Sequence, residues 1–160
     1  MSSGEKNNKI LKTIISECEK NLLRMNNAYE KISPSLPITP KKIFNLSNDE
    51  IEHIDQFIFR FSKLQDALGQ KLFKSVLDSL GEDLSNKSAI DIFNRLEQLE
   101  IIKDYENWKE LRDIRNDAAH EYEENENEAA EKINLLLKKR VELEKYYNDI
   151  LAYLKGRKII

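Results

Sequence analysis

Reactive and turn-forming residues are scarce in this chain, which holds one cysteine, two histidines, three prolines and four glycines among 160 residues. A single thiol, Cys18, cannot build an internal disulfide framework, and it fits a reducing compartment. Its place in an apolar phase of the first helical pattern predicts a buried, inert side chain. Two histidines and one cysteine without ligand-like spacing leave no zinc site, so neither a metal nor another cofactor is expected. There is no glycine-rich phosphate cradle and no Gly-X-Ser-X-Gly elbow. No run approaches the ~20 apolar residues that span a bilayer, and the N-terminus has no signal-peptide apolar core. The expectation is a soluble, cytoplasmic protein with no membrane contact. Excess charge is missing too. Lysine and arginine total 26 against 29 acids, a formal net charge of −3, which gives polyanions no general attraction. Any contact with a polyanion must run through a few placed cations.

What remains is rich in helix formers, with 34% charged and 40% hydrophobic residues and apolar positions recurring at three and four. We read one domain over residues 1–160. Met1 to Asn8 is expected to fray, and a first helix runs from Lys9 to Ile32. Residues 33–46 form a loop, because Pro34, Pro37 and Pro40 forbid regular helix. Ser47-Asn48-Asp49-Glu50 is a helix-start signature. The pattern it opens holds as far as Leu80, where Gly81 ends it. Gly69 inside that helix costs roughly 1 kcal/mol relative to alanine, and marks a bend or a close helix crossing. A shorter helix follows the Ser85–Ser88 cap, a fourth covers about Asp104 to Glu124, and a fifth starts near Glu126. The architecture expected is all-α: an up-and-down bundle of four to five helices. The acids from Glu121 to Glu131 read as a solvated turn.

Within the fourth helix lies the octet Arg115-Asn116-Asp117-Ala118-Ala119-His120-Glu121-Tyr122. At 100° per residue Arg115 shares the apolar stripe of Trp108, Leu111, Ala118, Ala119 and Tyr122, where an unpartnered charge is expensive. A plain explanation has it reach a carboxylate such as Glu110 or Glu124. His120 falls about 140° from Arg115 on an unbroken helix. The two therefore converge only if the helix distorts near Ala118-Ala119 or if a second copy completes the cleft; small residues at 118 and 119 suit a close helix approach. His53 and Arg60 read as structural residues first.

The string Arg115, four residues, His120, Glu121, Tyr122 resembles the Arg-X4-His signature of the HEPN superfamily, in the Arg-X4-His-X-Tyr form of HepT-type toxins. The stretch from Phe59 to Phe73 is similar to the long second helix of HepT-like proteins, and the likeness covers roughly Leu46 to Leu154. It implies an all-α bundle that forms a homodimer with both motif helices in a shared cleft. It also implies a metal-independent endoribonuclease, with Arg115 and His120 catalytic and Asn116 supporting them. The cognate partner would be a small nucleotidyltransferase antitoxin of the MNT type, which silences the toxin by adding AMP to Tyr122.

The residue types suit that chemistry. A histidine gives or takes a proton at neutral pH, and an arginine offers a fork of donors matched to phosphate oxygens. Two other readings stay open. One is a non-catalytic HEPN module that binds a nucleotidyltransferase or presents its nucleotide. The other is a helical interaction protein without nucleotide chemistry, in which Tyr122 is merely a core tyrosine.

Overall fold

The computed structural model of the chain describes residues 2–160, and helices carry almost all of it, with no strand among the described residues. The long elements are α1 (Ser3–Ile32), α3 (Asn48–Ala67), α6 (Tyr105–Glu124) and α7 (Glu126–Gly156). A single turn, α2 (Pro40–Ile43), lies in the proline-rich crossover, and α5 (Ala89–Gln98) precedes α6. Beyond α3 the helix continues through a π-helical stretch, Leu68–Leu72, into α4 (Phe73–Ser79). The segment predicted as one long helix is therefore continuous, with one wider turn in its middle.

Local signals explain the boundaries. Ser47 accepts from the Glu50 amide while the Glu50 carboxylate accepts from the Ser47 amide, a reciprocal cap that starts α3. Ser88 and Asp91 do the same for α5. Gly81, at φ +79°, ends α4: its own amide donates to Asp78 and that of Glu82 to Leu77, so the last carbonyls are satisfied. The N-terminus differs from expectation. Instead of fraying as far as Asn8, α1 begins at Ser3, because the Ser2 hydroxyl accepts from the Glu5 amide and the Asn7 side chain donates to the Asp78 carbonyl. Met1 lies outside the described residues.

The core forms where α1 packs along α3 and α6 pairs with α7. Leu11, Cys18, Met25, Phe57, Phe61, Leu64, Leu111 and Ile150 are among its fully buried members. Burial pushes the Cys18 thiol up to about 12, so it stays an inert thiol. The crossover is fastened to α7 by Asn134, whose side chain accepts from the Ile38 amide (3.0 Å) and donates to its carbonyl (2.8 Å). Arg60 serves the bundle: its Nη1 donates to Asn21 Oδ1 at 2.8 Å.

Candidate functional site

The octet sits on α6 where that helix crosses α3 in the opposite direction. Trp108 meets Gly69, Arg115 meets Ser62 and Asp66, and Tyr122 lies near Asp55. Buried residues on α6 are Trp108, Leu111, Ile114 and Ala118. Arg115 is therefore at the edge of the apolar face, on the side of α3, and not at its centre.

The Arg115 side chain is only 13% exposed, and its charge is paired. Its Nη1 lies 2.8 Å from Asp66 Oδ1 and donates more weakly to the Ser62 carbonyl at 3.4 Å, while its Nε donates to Asn116 Oδ1 at 3.2 Å. The partner carboxylate is thus neither Glu110 nor Glu124 but Asp66, one helix away. Asn116 itself is exposed and steadies the guanidinium from its own helix.

His120 stands apart from this cluster. Its side chain is 62% exposed, and its Nε2 lies 3.6 Å from Glu124 Oε2. α6 runs without a break from Tyr105 to Glu124, so a distortion at Ala118-Ala119 does not occur. Within one chain Arg115 and His120 point away from each other. Ala118 is fully buried inside the bundle, which leaves the half-buried Ala119 as the small residue open to a neighbour.

Tyr122 is half-buried and packs its ring against the core. Burial raises its phenol well above the ordinary tyrosine range, and the nearby Asp55 carboxylate adds to the effect. The hydroxyl therefore stays protonated at physiological pH.

Beside Arg115 the surface opens into a groove of about 270 Å³, whose lining includes Gly69, Gln70, Tyr105, Trp108, Arg112 and Arg115. Gly69 and Gln70 belong to the π-helical turn. Where a Cβ on Gly69 would sit, Trp108 Cζ2 is 3.2 Å away, so any larger residue there presses on the indole that lies against the π-helical turn. Among the described residues no group of histidine, cysteine and carboxylate side chains is arranged to hold a metal ion.

The family model of HEPN_Cthe2314-like HEPN matches residues 11–159. The chain belongs to this HEPN family. Comparison with curated proteins and with solved structures finds no match. The helical bundle expected for a HEPN domain is the one observed. Of the four residues the sequence singled out, the HEPN bundle brings Arg115 and Asn116 together. It sets Tyr122 farther along the same α3–α6 seam and leaves His120 on the outside. Asp66 and Ser62, which anchor the motif arginine, were not singled out. Their only signal is a polar line, Ser62, Asp66 and Gln70, at four-residue spacing along one face, in a helix with other polar residues around it.

Proposed function

We propose that this HEPN protein is a metal-independent endoribonuclease that works as a homodimer, the toxin of a HepT/MNT-like pair. The observation that carries the reading is the division of the motif along α6. Arg115 is held at the lip of an open groove by Asp66 and Asn116, while His120 projects outward from the same unbroken helix. A histidine aimed away from its own arginine is useful where a second copy brings its motif helix to the same place.

The chemistry then needs nothing beyond side chains. One His120 takes the proton of the ribose 2′-hydroxyl, whose oxygen attacks the adjacent phosphorus. The bond from phosphorus to the 5′-oxygen breaks, and the partner copy's equivalent histidine returns a proton to that oxygen. The products are a 2′,3′-cyclic phosphate and a free 5′-hydroxyl. Arg115 and its equivalent stabilise the charge that builds on the phosphoryl oxygens. Asn116 and Asp66 are positioning residues, which keep the fork of Arg115 pointed. Tyr122 is proposed as the hydroxyl that receives AMP from a nucleotidyltransferase of the MNT type.

The test is cleavage of a broad RNA panel in EDTA by the purified protein, alongside Arg115→Ala and His120→Ala. Both substitutions should abolish cleavage while leaving the helical spectrum intact, and sedimentation should give a dimer. Cleavage that survives both changes, or an active monomer, overturns the assignment.

A second reading has support of its own. Asp66 already neutralises Arg115 in the single chain, and the net charge of −3 does not recruit RNA. Both suit a non-catalytic HEPN module that binds a nucleotidyltransferase. A stable complex with such an enzyme, in the absence of any RNA cleavage, would favour it.

A further inference from the structure

The groove beside Arg115 lies over an aromatic part of the core. Its floor is a block of interlocked rings: Phe73 lies 4.9 Å from Trp108 and 5.8 Å from Phe93, centroid to centroid, and Phe93 lies 5.3 Å from Tyr105. Tyr105 is half-buried at the rim, opposite the small exposed side chain of Ala89. On α6, Trp108, Arg112 and Arg115 follow one another at successive turns, so an aromatic floor passes into two guanidiniums. Arg115 is paired with Asp66, but Arg112 is exposed and joins no ion pair among the described residues.

Two further features set the groove apart. Its α3 side is the π-helical stretch, which supplies both Gly69 and Gln70, and such bulges inside helices gather at functional sites. Gln65 lines the same wall, with its Nε2 turned to the Trp108 carbonyl and its buried Oε1 left without a partner. An orphaned buried acceptor beside a cavity is costly unless something else meets it.

We propose that this groove is a nucleobase subsite. It takes the base of one unpaired ribonucleotide against the half-buried ring of Tyr105, beside Trp108, while Arg112 and Arg115 hold the phosphate of the same nucleotide. Its volume falls just below the ~300–1,000 Å³ of pockets that enclose whole drug-sized ligands, the scale of a single base. A base stacks on the Tyr105 ring whatever its identity. The carboxamides of Gln65 and Gln70 offer the hydrogen-bonding groups that sort one base from another. A base can enter only when it is free of its own stack, so the substrate class is single-stranded RNA. This assignment rests on the ribonuclease reading for the nature of its ligand, and it deepens that reading by placing substrate selection on α6 upstream of the motif.

Trp108 is the chain's one tryptophan, so its fluorescence reports on this groove alone. The experiment titrates the full-length protein with AMP, CMP, GMP and UMP, and with ribose 5-phosphate and inorganic phosphate as baseless controls. At least one nucleotide should quench or shift the emission saturably, and the controls should not. Arg112→Ala and Tyr105→Ala should each weaken that binding roughly tenfold; Tyr105→Phe, which keeps the ring, should retain it. His120→Ala should abolish RNA cleavage and leave the titration unchanged. Absence of a saturable response to every nucleotide, an equal response to inorganic phosphate, or indifference to both alanine substitutions overturns the subsite. If the titration fails while wild-type cleavage persists, the subsite falls and the ribonuclease stands. A positive titration without cleavage of any RNA keeps the subsite and points to the non-catalytic module.

Discussion

Replacing Asp66 by asparagine separates the two tasks that the Arg115–Asp66 contact can perform. Asparagine is nearly isosteric and keeps an oxygen that can accept from Arg115 Nη1, so packing is preserved and only the charge is lost. The contact is short, at 2.8 Å, and Arg115 is well covered, but the Asp66 side chain is 45% exposed. Water therefore screens much of the attraction. A hydrogen bond between charged groups contributes roughly 1.5–3 kcal/mol when protected, and an exposed pair under about 1 kcal/mol; this contact lies between, so the loss should be about 1 kcal/mol. In a domain of this length that corresponds to a fall in melting temperature of roughly 2–4 °C. Urea denaturation of wild type, Asp66→Asn, Arg115→Gln and the double variant isolates the pairwise part. Catalysis should respond more strongly than stability, because the fork of Arg115 is no longer pinned. We expect the cleavage rate to fall at least tenfold, while affinity for nucleotides holds or rises as a negative charge leaves the groove. A destabilisation well above 3 kcal/mol would mean that the pair is a structural keystone. An unchanged rate would mean that Asp66 does not position Arg115 for chemistry. Either result refutes the reasoning.

Other consequences are equally open to measurement. Gly69→Ala gains roughly 1 kcal/mol of helix propensity, but its Cβ would stand 3.2 Å from Trp108, a ring locked between Phe73 and Tyr146. Overpacking at about 1–3 kcal/mol should win, and a rise in stability on chemical denaturation would show that the indole yields freely. At high pH the fold should weaken. The folded state holds the Cys18 proton up to about 12 from an ordinary value of 9.0, and that of Tyr146 to about 12 from 10.0, in each case chiefly through burial. The unfolded chain releases these protons first, so the stability they contribute is complete below pH 9 and declines as pH rises toward 12; a urea midpoint flat from pH 8.5 to 11 would contradict this. Tyr122→Phe should leave the melting temperature within a few degrees, since the ring does the packing. It should also eliminate the mass gain of one AMP on exposure to an MNT-type nucleotidyltransferase; a gain that persists would place the modified hydroxyl elsewhere.

Helix boundaries were legible in the sequence because short-range chemistry sets them: the Ser47–Glu50 and Ser88–Asp91 caps and the stop at Gly81 each act within a few residues. The same chemistry is present at Ser2 and Glu5, in a segment too polar to carry an apolar helical pattern of its own. Gly69 was legible as a close crossing, although not the tryptophan that it admits. Two features could not be read off periodicity. The π-helical turn at Leu68–Leu72 adds backbone to one turn without leaving an apolar pattern of its own, and Asp66 lies 49 residues from the arginine it neutralises. Long-range polar pairs of this kind depend on which helices become neighbours. That is why carboxylates closer in sequence, Glu110 and Glu124, looked equally suitable partners for Arg115.

The placement of charge along α6 bears on how an acidic protein could handle an acidic polymer. Arg112 and Arg115 occupy the middle of the helix beside the groove, whereas Glu123, Glu124, Glu126 and Glu128 crowd the exposed turn where α6 gives way to α7. Lys109, Arg112 and Arg115 alternate along α6 with Glu110, Asp113 and Asp117, whereas no lysine or arginine follows His120 before Lys132, so His120 lies where a mixed stretch gives way to an acidic one. On the ribonuclease reading, a single-stranded phosphate chain would be held by the two arginines and turned away beyond His120, in the part of the helix where a base has somewhere to go. Such binding would favour placement over affinity, since few phosphates would be neutralised. On the same reading, those acids would leave the Tyr122 end of the seam to another partner, so that substrate and regulator would approach one helix from opposite ends, with the Arg115–Asp66 pair and His120 lying between them.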